Sequence, residues 1–370
     1  MTRSPAGKPG AGHGASPLVS QEREGSPECI LPGPSNLPSP MRVLIVRLGA
    51  FGDILHTLPL AADLTAAGWT VDWVCEDRWA MVAAGAAATV HALPRKALRD
   101  RSRPWFERAR LLVQALRPLR SGYDAVIDAQ GLAKSALVAL SARGERLIGH
   151  GPARSREGAW LAATTQVDPV DVHVIDQQRR LSAPLTGRTP TGPWRFPLPG
   201  WQTERAWAAD WLSAQGVRRP WVLNVGAGWP TKVWPAERQT AFAERICASG
   251  RRLVLVWGSP VERAAAAAIA AAVPGTVLAP DTSIPQLAGL LAAAQVVISG
   301  DTGPLHLARA LDVPAIGLFG PVPAERNGPQ GAHWRNLQAP GELWERRDVS
   351  RVDMGAITPE QVLAAAESVI

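Results

Sequence analysis

From residue 41 onward, short apolar runs alternate with longer stretches in which apolar residues recur every three or four positions. The runs 43–46, 71–75 and 125–127 have the length and Val/Ile/Leu content of buried strands, while 54–66 and 105–116 carry helical spacing. Repeated alternation of this kind predicts a parallel sheet flanked by helices. Pro190, Pro193, Pro197 and Pro199 interrupt the pattern, so 186–203 is predicted to be a linker. The alternation then restarts. Strands are predicted at 221–225, 253–257, around Val277, 296–299 and 315–318, with helices at 235–249, 261–272, 284–293 and 304–310 between them. A last helical stretch, 358–370, opens with Thr358 followed three residues on by Gln361, a capping-box pair. The predicted architecture is α/β: a Rossmann-like half at 41–185, a second at 204–355 and a terminal helix at 356–370. A cleft between two such halves would collect the carboxyl ends of their strands, where ligands bind in open α/β sheets.

Residues 1–40 are half Pro, Gly and Ser without hydrophobic period and are predicted to be disordered; Met41 is itself a candidate translation start. The 370 residues suit two domains of ordinary size. No apolar run reaches the ~18–20 residues of a membrane helix, which predicts a protein that is soluble or bound only to a membrane surface. The formal net charge is +7, and it sits beyond residue 40, because Arg3, Lys8 and Arg23 balance Glu22, Glu24 and Glu28. A basic surface favours phosphorylated sugars, acidic lipid headgroups or nucleic acid. Without a Lys/Arg run, and with Tyr123 the only tyrosine, nucleic acid is the weaker reading. A GC-rich coding sequence would produce the same Arg excess. Cys29, Cys75 and Cys247 lack metal-ligand spacing, and no secretory signal is evident, so a cytoplasmic setting is expected.

Four segments could carry chemistry. In Leu48-Gly-Ala-Phe-Gly-Asp-Ile-Leu-His56, Gly49 and Gly52 permit a tight turn, in a spacing that is not the dinucleotide fingerprint. Asp53 stands where a helix should start. The pattern favours a helix-capping role over a general base facing a cleft, and His56 is read as structural. In Ser299-Gly-Asp-Thr-Gly-Pro-Leu-His306, strand, Gly-rich loop and helix start coincide, with Pro304 in the first turn. Exposed amides and the positive helix end there make a phosphate cradle, to which Thr302 adds a hydroxyl. His306 suits a phosphate donor or a structural role equally. In Asn224-Val-Gly-Ala-Gly-Trp-Pro-Thr-Lys-Val-Trp-Pro235, Lys232 reads either as a solvated lysine or as the cation cancelling charge on a diphosphate leaving group. In the fourth, a strand runs into Asp128, a turn at Gly131, then a helix start bearing Lys134 and Ser135. Lys134 there, like Arg154 and Arg156, is either an anion ligand or an ordinary surface cation.

These segments together resemble glycosyltransferase family 9, the lipopolysaccharide heptosyltransferases. The pieces are MRVLIVRLGAFGDILHTLP, YDAVIDAQGLAKSALVA, KVWP, SGDTGPLHLARALDVPAIGLFGP and RNGPQG, spread over nearly everything after Met41. DAQGLAKSALVA and SREGAW…HVIDQQRRL are more similar to the type I enzymes, which move heptose from an ADP-linked donor onto the Kdo region of lipid A. The resemblance implies a GT-B fold, inversion at the anomeric carbon and no essential metal or other cofactor. It implies that Asp53 is the general base, and that Lys232, Asp301, Thr302, Gly303, His306 and Gly226 hold the donor. Gly52, Lys134 and Arg156 are then candidates for the acceptor, and an anionic membrane surface is a candidate partner at the cytoplasmic face of the inner membrane. Two departures stand out. Ala227 and Gly228 occupy places where type I sequences often carry paired Thr. Ser259 and Pro260 follow Gly258 where an acid often does, leaving Glu262 as the nearest carboxylate. A different ADP-sugar or acceptor, or a nucleotide-sugar binder without turnover, is the alternative; a dehydrogenase lacks its fingerprint here.

Overall fold

The computed structural model of the protein describes residues 41–343 and 351–370; the predicted disordered segment lies outside them. The chain builds two six-stranded, wholly parallel sheets. The first contains β1 (Arg42–Val46), β2 (Thr70–Glu76), β3 (Thr89–Leu93), β4 (Ala125–Asp128), β5 (Leu147–His150) and β6 (Thr165–Val167), in the order β3-β2-β1-β4-β5-β6. The second contains β7 (Trp221–Asn224), β8 (Leu253–Val256), β9 (Thr276–Leu278), β10 (Val296–Gly300), β11 (Ala315–Phe319) and β12 (Trp334–Gln338), in the order β12-β11-β10-β7-β8-β9. Read from β9, the second order repeats the first. Each sheet therefore has one switch point where strand order reverses, between β1 and β4 and between β7 and β10. Ligand crevices form at such points.

The strands are apolar because both faces are covered. In β1, Val43 and Ile45 point into a cluster with Ile54, Leu55 and Leu58 of helix Phe51–Ala66. Leu44 and Val46 point the other way, into a cluster that takes in Leu119, Val126, Val138 and Ala139. This is the alternation a pleated strand imposes. The first of these clusters also includes Leu305, Leu307 and Ala308 of helix Gly303–Ala310, so the halves share buried apolar surface where that helix meets Phe51–Ala66. The terminal helix Pro359–Glu367 packs on the second half through Val362 and Ala366. Its capping box is formed in both directions, Gln361 Oε1 accepting from the Thr358 amide at 2.9 Å and Thr358 Oγ1 from the Gln361 amide at 3.3 Å.

Within the predicted linker, helix Ala183–Thr186 ends and helix Gln202–Ala214 begins, and 187–201 carry neither helix nor strand. Four strands escaped the sequence pattern: β3, β5, β6 and β12. Of these, β3, β6 and β12 are sheet edges, whose residues are mostly half-buried or exposed and so lack a continuous apolar run.

Candidate active site

The loops leaving β1 and β10 meet. Helices Phe51–Ala66 and Gly303–Ala310 approach at their starts closely enough that a Cβ on Gly303 would lie 2.3 Å from the Phe51 ring, and one on Gly52 would lie 2.9 Å from the His306 ring. Only glycine fits at these two contacts. Between the halves opens a cleft of about 920 Å³, lined among others by Gly52, Asp53, Arg156, Lys232, Thr302 and His306.

Asp53 sits at the third position of its helix rather than at the cap, which is Ala50. Its Oδ2 accepts from the Ala50 amide at 3.1 Å, so the capping function is real although the position differs. The same oxygen is 2.7 Å from Arg47 Nη2, and the Asp53 side chain stays 43% exposed to the cleft. Arg47 is buried. Its Nη1 donates to the Ala129 carbonyl at 2.5 Å across the β1–β4 switch point, and its Nε finds no hydrogen-bond acceptor among the described residues. Arg47 went unremarked in the sequence; the signal was an arginine closing a buried strand.

On the opposite wall, Lys232 is buried and not a solvated lysine. Its Nζ pairs with Asp301 Oδ2 and lies 4.3 Å from the Trp229 ring centroid. His306 Nε2 stands 3.3 Å from the other Asp301 oxygen. Burial opposes ionisation of Asp301, but the hydrogen bond and charge of His306, then Lys232, outweigh it and hold the carboxyl below the usual range. Thr302 caps helix Gly303–Ala310 by position, with no side-chain hydrogen bond to its amides, which leaves the helix start open to an anion. Asn224 ties the two loops of this half together, donating to the Gly226 carbonyl at 2.8 Å and to Ser299 Oγ at 3.1 Å.

His56 lies edge-on to His306 with ring centroids 4.2 Å apart, and its Nε2 has no partner among the described residues. Burial, then the neighbouring His306, pushes its pKa well below the usual histidine value, so it is neutral. Arg154 lines the cleft with Arg156, and burial followed by the charges of Arg47 and Arg326 draws its pKa to about 10. Five cations (Arg47, Arg154, Arg156, Lys232, Arg326) against Asp53 and Asp301 make the cleft a place for anions.

Two expected residues are placed elsewhere. Gly226 lines an adjoining recess of about 340 Å³ with Trp79, Trp257, Gly258, Glu262 and Thr282. Glu262 lies directly over it, so a Cβ on Gly226 would overlap the carboxylate; Glu262 also accepts from the Gly258 amide at 2.7 Å. Lys134 is not brought into the cleft. Helix Ala133–Ser141 turns Ser135 inward to Asp128 Oδ2, at 3.0 Å, and leaves Lys134 exposed. Asp128 itself is used in its own loop, accepting from the amides of Gln130 and Gly131 at 3.0 and 3.1 Å. Among the described residues, no group of three or more His, Cys, Asp or Glu side chains is arranged to hold a metal.

Two facing Rossmann-like sheets, with a carboxylate at one switch point and a phosphate-type helix start at the other, define a glycosyltransferase of the GT-B class. The profile of glycosyltransferase family 9 (heptosyltransferase) matches residues 110–354, and the chain belongs to that family. It is 33% identical over 291 residues to lipopolysaccharide heptosyltransferase 1 of Pseudomonas aeruginosa, covering 76% of this chain and 79% of that protein. To lipopolysaccharide heptosyltransferase 1 of Escherichia coli K12 it is 32% identical over 315 residues, covering 82% and 95%. The E. coli heptosyltransferase WaaC with ADP superposes with a TM-score of 0.74 at 29% identity, over 89% of this chain and all of that one. WaaC with ADP-2-deoxy-2-fluoro heptose gives 0.71, over 88% and 99%.

Proposed function

We propose that this glycosyltransferase moves L-glycero-D-manno-heptose from ADP-heptose onto the Kdo region of lipid A, in lipopolysaccharide inner-core synthesis, at the cytoplasmic face of an anionic membrane. The observation that carries the reading is the arrangement across one cleft: a carboxylate held by Arg47 on one side, and on the other Lys232 and an uncapped helix start. The similar E. coli WaaC binds ADP and ADP-2-deoxy-2-fluoro heptose, and that donor chemistry supports the reading.

The step balances with one carboxylate. Asp53 takes the proton of an acceptor hydroxyl as its oxygen attacks the anomeric carbon. The bond from that carbon to the donor's phosphate oxygen breaks on the far side, which inverts the centre, and ADP leaves with the electron pair. A positioned base contributes ~10²–10⁴-fold. Leaving-group charge falls to Lys232 and the amides after Thr302, without an essential metal. The recess between Trp79 and Trp257 suits the nucleobase, and Glu262 suits ribose hydroxyls. Arg154 and Arg156 suit the anionic acceptor.

Mass-spectrometric product analysis with ADP-heptose and Kdo-bearing lipid A tests this. Addition of one heptose with ADP release is expected; ADP binding without product would reject it. Ala227 and Gly228, both lining the recess, favour one second reading, a different ADP-sugar, which the same assay with a donor panel resolves.

A further inference from the structure

The transfer chemistry leaves one large feature unused: the outer surface over the Leu44/Val46 face of the first sheet. Helix Trp105–Leu116 rests there through Ala115 and Leu116, and helix Ala133–Ser141 through Val138 and Ala139, all in one cluster. Both helices carry a second apolar face that is left bare among the described residues. On the first, Trp105, Phe106, Ala109, Leu112 and Val113 recur at helical spacing and all are exposed, Trp105 at 74% and Val113 at 66%. On the second, Leu137 is 68% exposed, with Leu140 and the nearby Leu161 similarly bare. An isolated exposed leucine needs no explanation, but an aromatic-rich stripe of this kind marks an interaction site.

The charge around it names the partner. Residues 95–120 carry nine Lys and Arg against Asp100 and Glu107, an excess of seven that equals the net charge of the whole chain. Arg110 and Arg117 flank the first apolar stripe. Lys134, exposed on the second helix one turn from Leu137, flanks the other. No helix among the described residues is long and apolar enough to cross a membrane. A surface helix with aromatic and aliphatic residues on one face and arginines beside them is built to lie in the plane of a lipid interface.

We infer that the face formed by Trp105, Phe106, Leu112 and Val113, with Leu137, Leu140 and their flanking cations, seats the protein on an anionic phospholipid surface. The aromatic rings enter the headgroup boundary, and Arg110, Arg117 and Lys134 meet lipid phosphates. The basic segment opens just after β3, which is parallel to β2 and β1, and so starts at the carboxyl end of the strands, the end of the sheet where Asp53 stands. Docking would therefore bring that end of the sheet to the membrane that holds the acceptor. The inference rests on the membrane-surface setting proposed above.

The test is co-sedimentation of the full chain with phosphatidylglycerol/phosphatidylethanolamine vesicles and with phosphatidylcholine vesicles. The wild type should partition onto the anionic vesicles. The Trp105→Ser/Phe106→Ser variant should bind them about tenfold more weakly or worse, with an unchanged melting temperature and unchanged ADP release on a water-soluble acceptor. Arg110→Gln/Arg117→Gln should lose on the order of fivefold per arginine at low salt and show a flatter salt dependence. Wild-type partitioning retained by the Ser variant overturns this face as the docking element and leaves the membrane setting intact. A wild type that binds neither vesicle overturns both. A solution dimer that the Ser variant converts to monomer, without vesicle binding, makes the face a self-interface and overturns the inference.

Discussion

The guanidinium of Arg47 grips the carboxylate of Asp53 at 2.7 Å, reaching it from beneath the loop that separates them. Because Arg47 is itself fixed to the Ala129 carbonyl, Asp53 is aimed by the switch point of the first sheet and not only by its own helix. Position and charge of the proposed base are thus set by a buried residue that need touch no substrate.

Removing the carboxylate should separate binding from turnover. Asp53→Ala is expected to lower kcat by ~10²–10⁴-fold while ADP titration by calorimetry stays near the wild type. Turnover within about threefold of wild type would end the general-base assignment.

Arg47→Ala should act through Asp53. Loss of aim alone costs on the order of 10²-fold in kcat, with ADP affinity again little changed. The double variant Arg47→Ala/Asp53→Ala should be no slower than Asp53→Ala alone. Multiplying defects would show that Arg47 acts independently.

The Lys232–Asp301 pair is buried on both sides, so breaking it strands a charge. Asp301→Ala should destabilise the fold by about 3–5 kcal/mol, read as a lower midpoint in urea. Lys232→Ala should show a comparable loss and, in addition, weaker ADP binding. An exposed pair such as Arg251–Glu367 offers the control, with an effect under about 1 kcal/mol.

Stability should fall in mild acid. Burial lowers the pKa of His173 to about 4 and of His150 to about 3, below the usual 6.5. Groups with depressed folded values contribute stability that is complete above the unfolded pKa and is lost as pH drops below it. The window therefore runs from about 6.5 down to about 4 for His173 and to about 3 for His150, at up to about 1.4 kcal/mol per pH unit for each histidine. His173 shows why. Its Nδ1 accepts from the Ile175 amide at 3.1 Å, and its Nε2 donates to the Gly328 carbonyl of the other half at 3.0 Å. A second proton would have to displace the Ile175 amide. Thermal melts at pH 7, 6 and 5 should fall progressively, and less steeply in His173→Gln.

The two halves and both Gly-Asp loops were legible because buried parallel strands are continuous apolar runs and loops after them need glycine. The phosphate cradle of the second loop, with Thr302, followed from that logic alone, while Asp301 itself came only with the family resemblance. Asp53 did not, because a capping carboxylate and a base look alike in sequence; here the residue does cap, through the Ala50 amide, and also faces the cleft. Arg47 and Glu262 owe their places to tertiary contacts between segments far apart in the chain, which periodicity does not encode. Lys134 was drawn into the site by a local argument about helix starts, while its actual orientation is decided by Ser135 bonding Asp128.

The repeated strand order has an evolutionary consequence. With the proposed base on one half and the donor cradle on the other, a recombination event in 187–201 could exchange the donor while keeping the acceptor, or the reverse. What such a chimera must inherit as a set is the seam: Phe51 against Gly303, Gly52 against His306, and His173 against the Gly328 carbonyl. Those few contacts, more than either sheet, decide which halves are interchangeable.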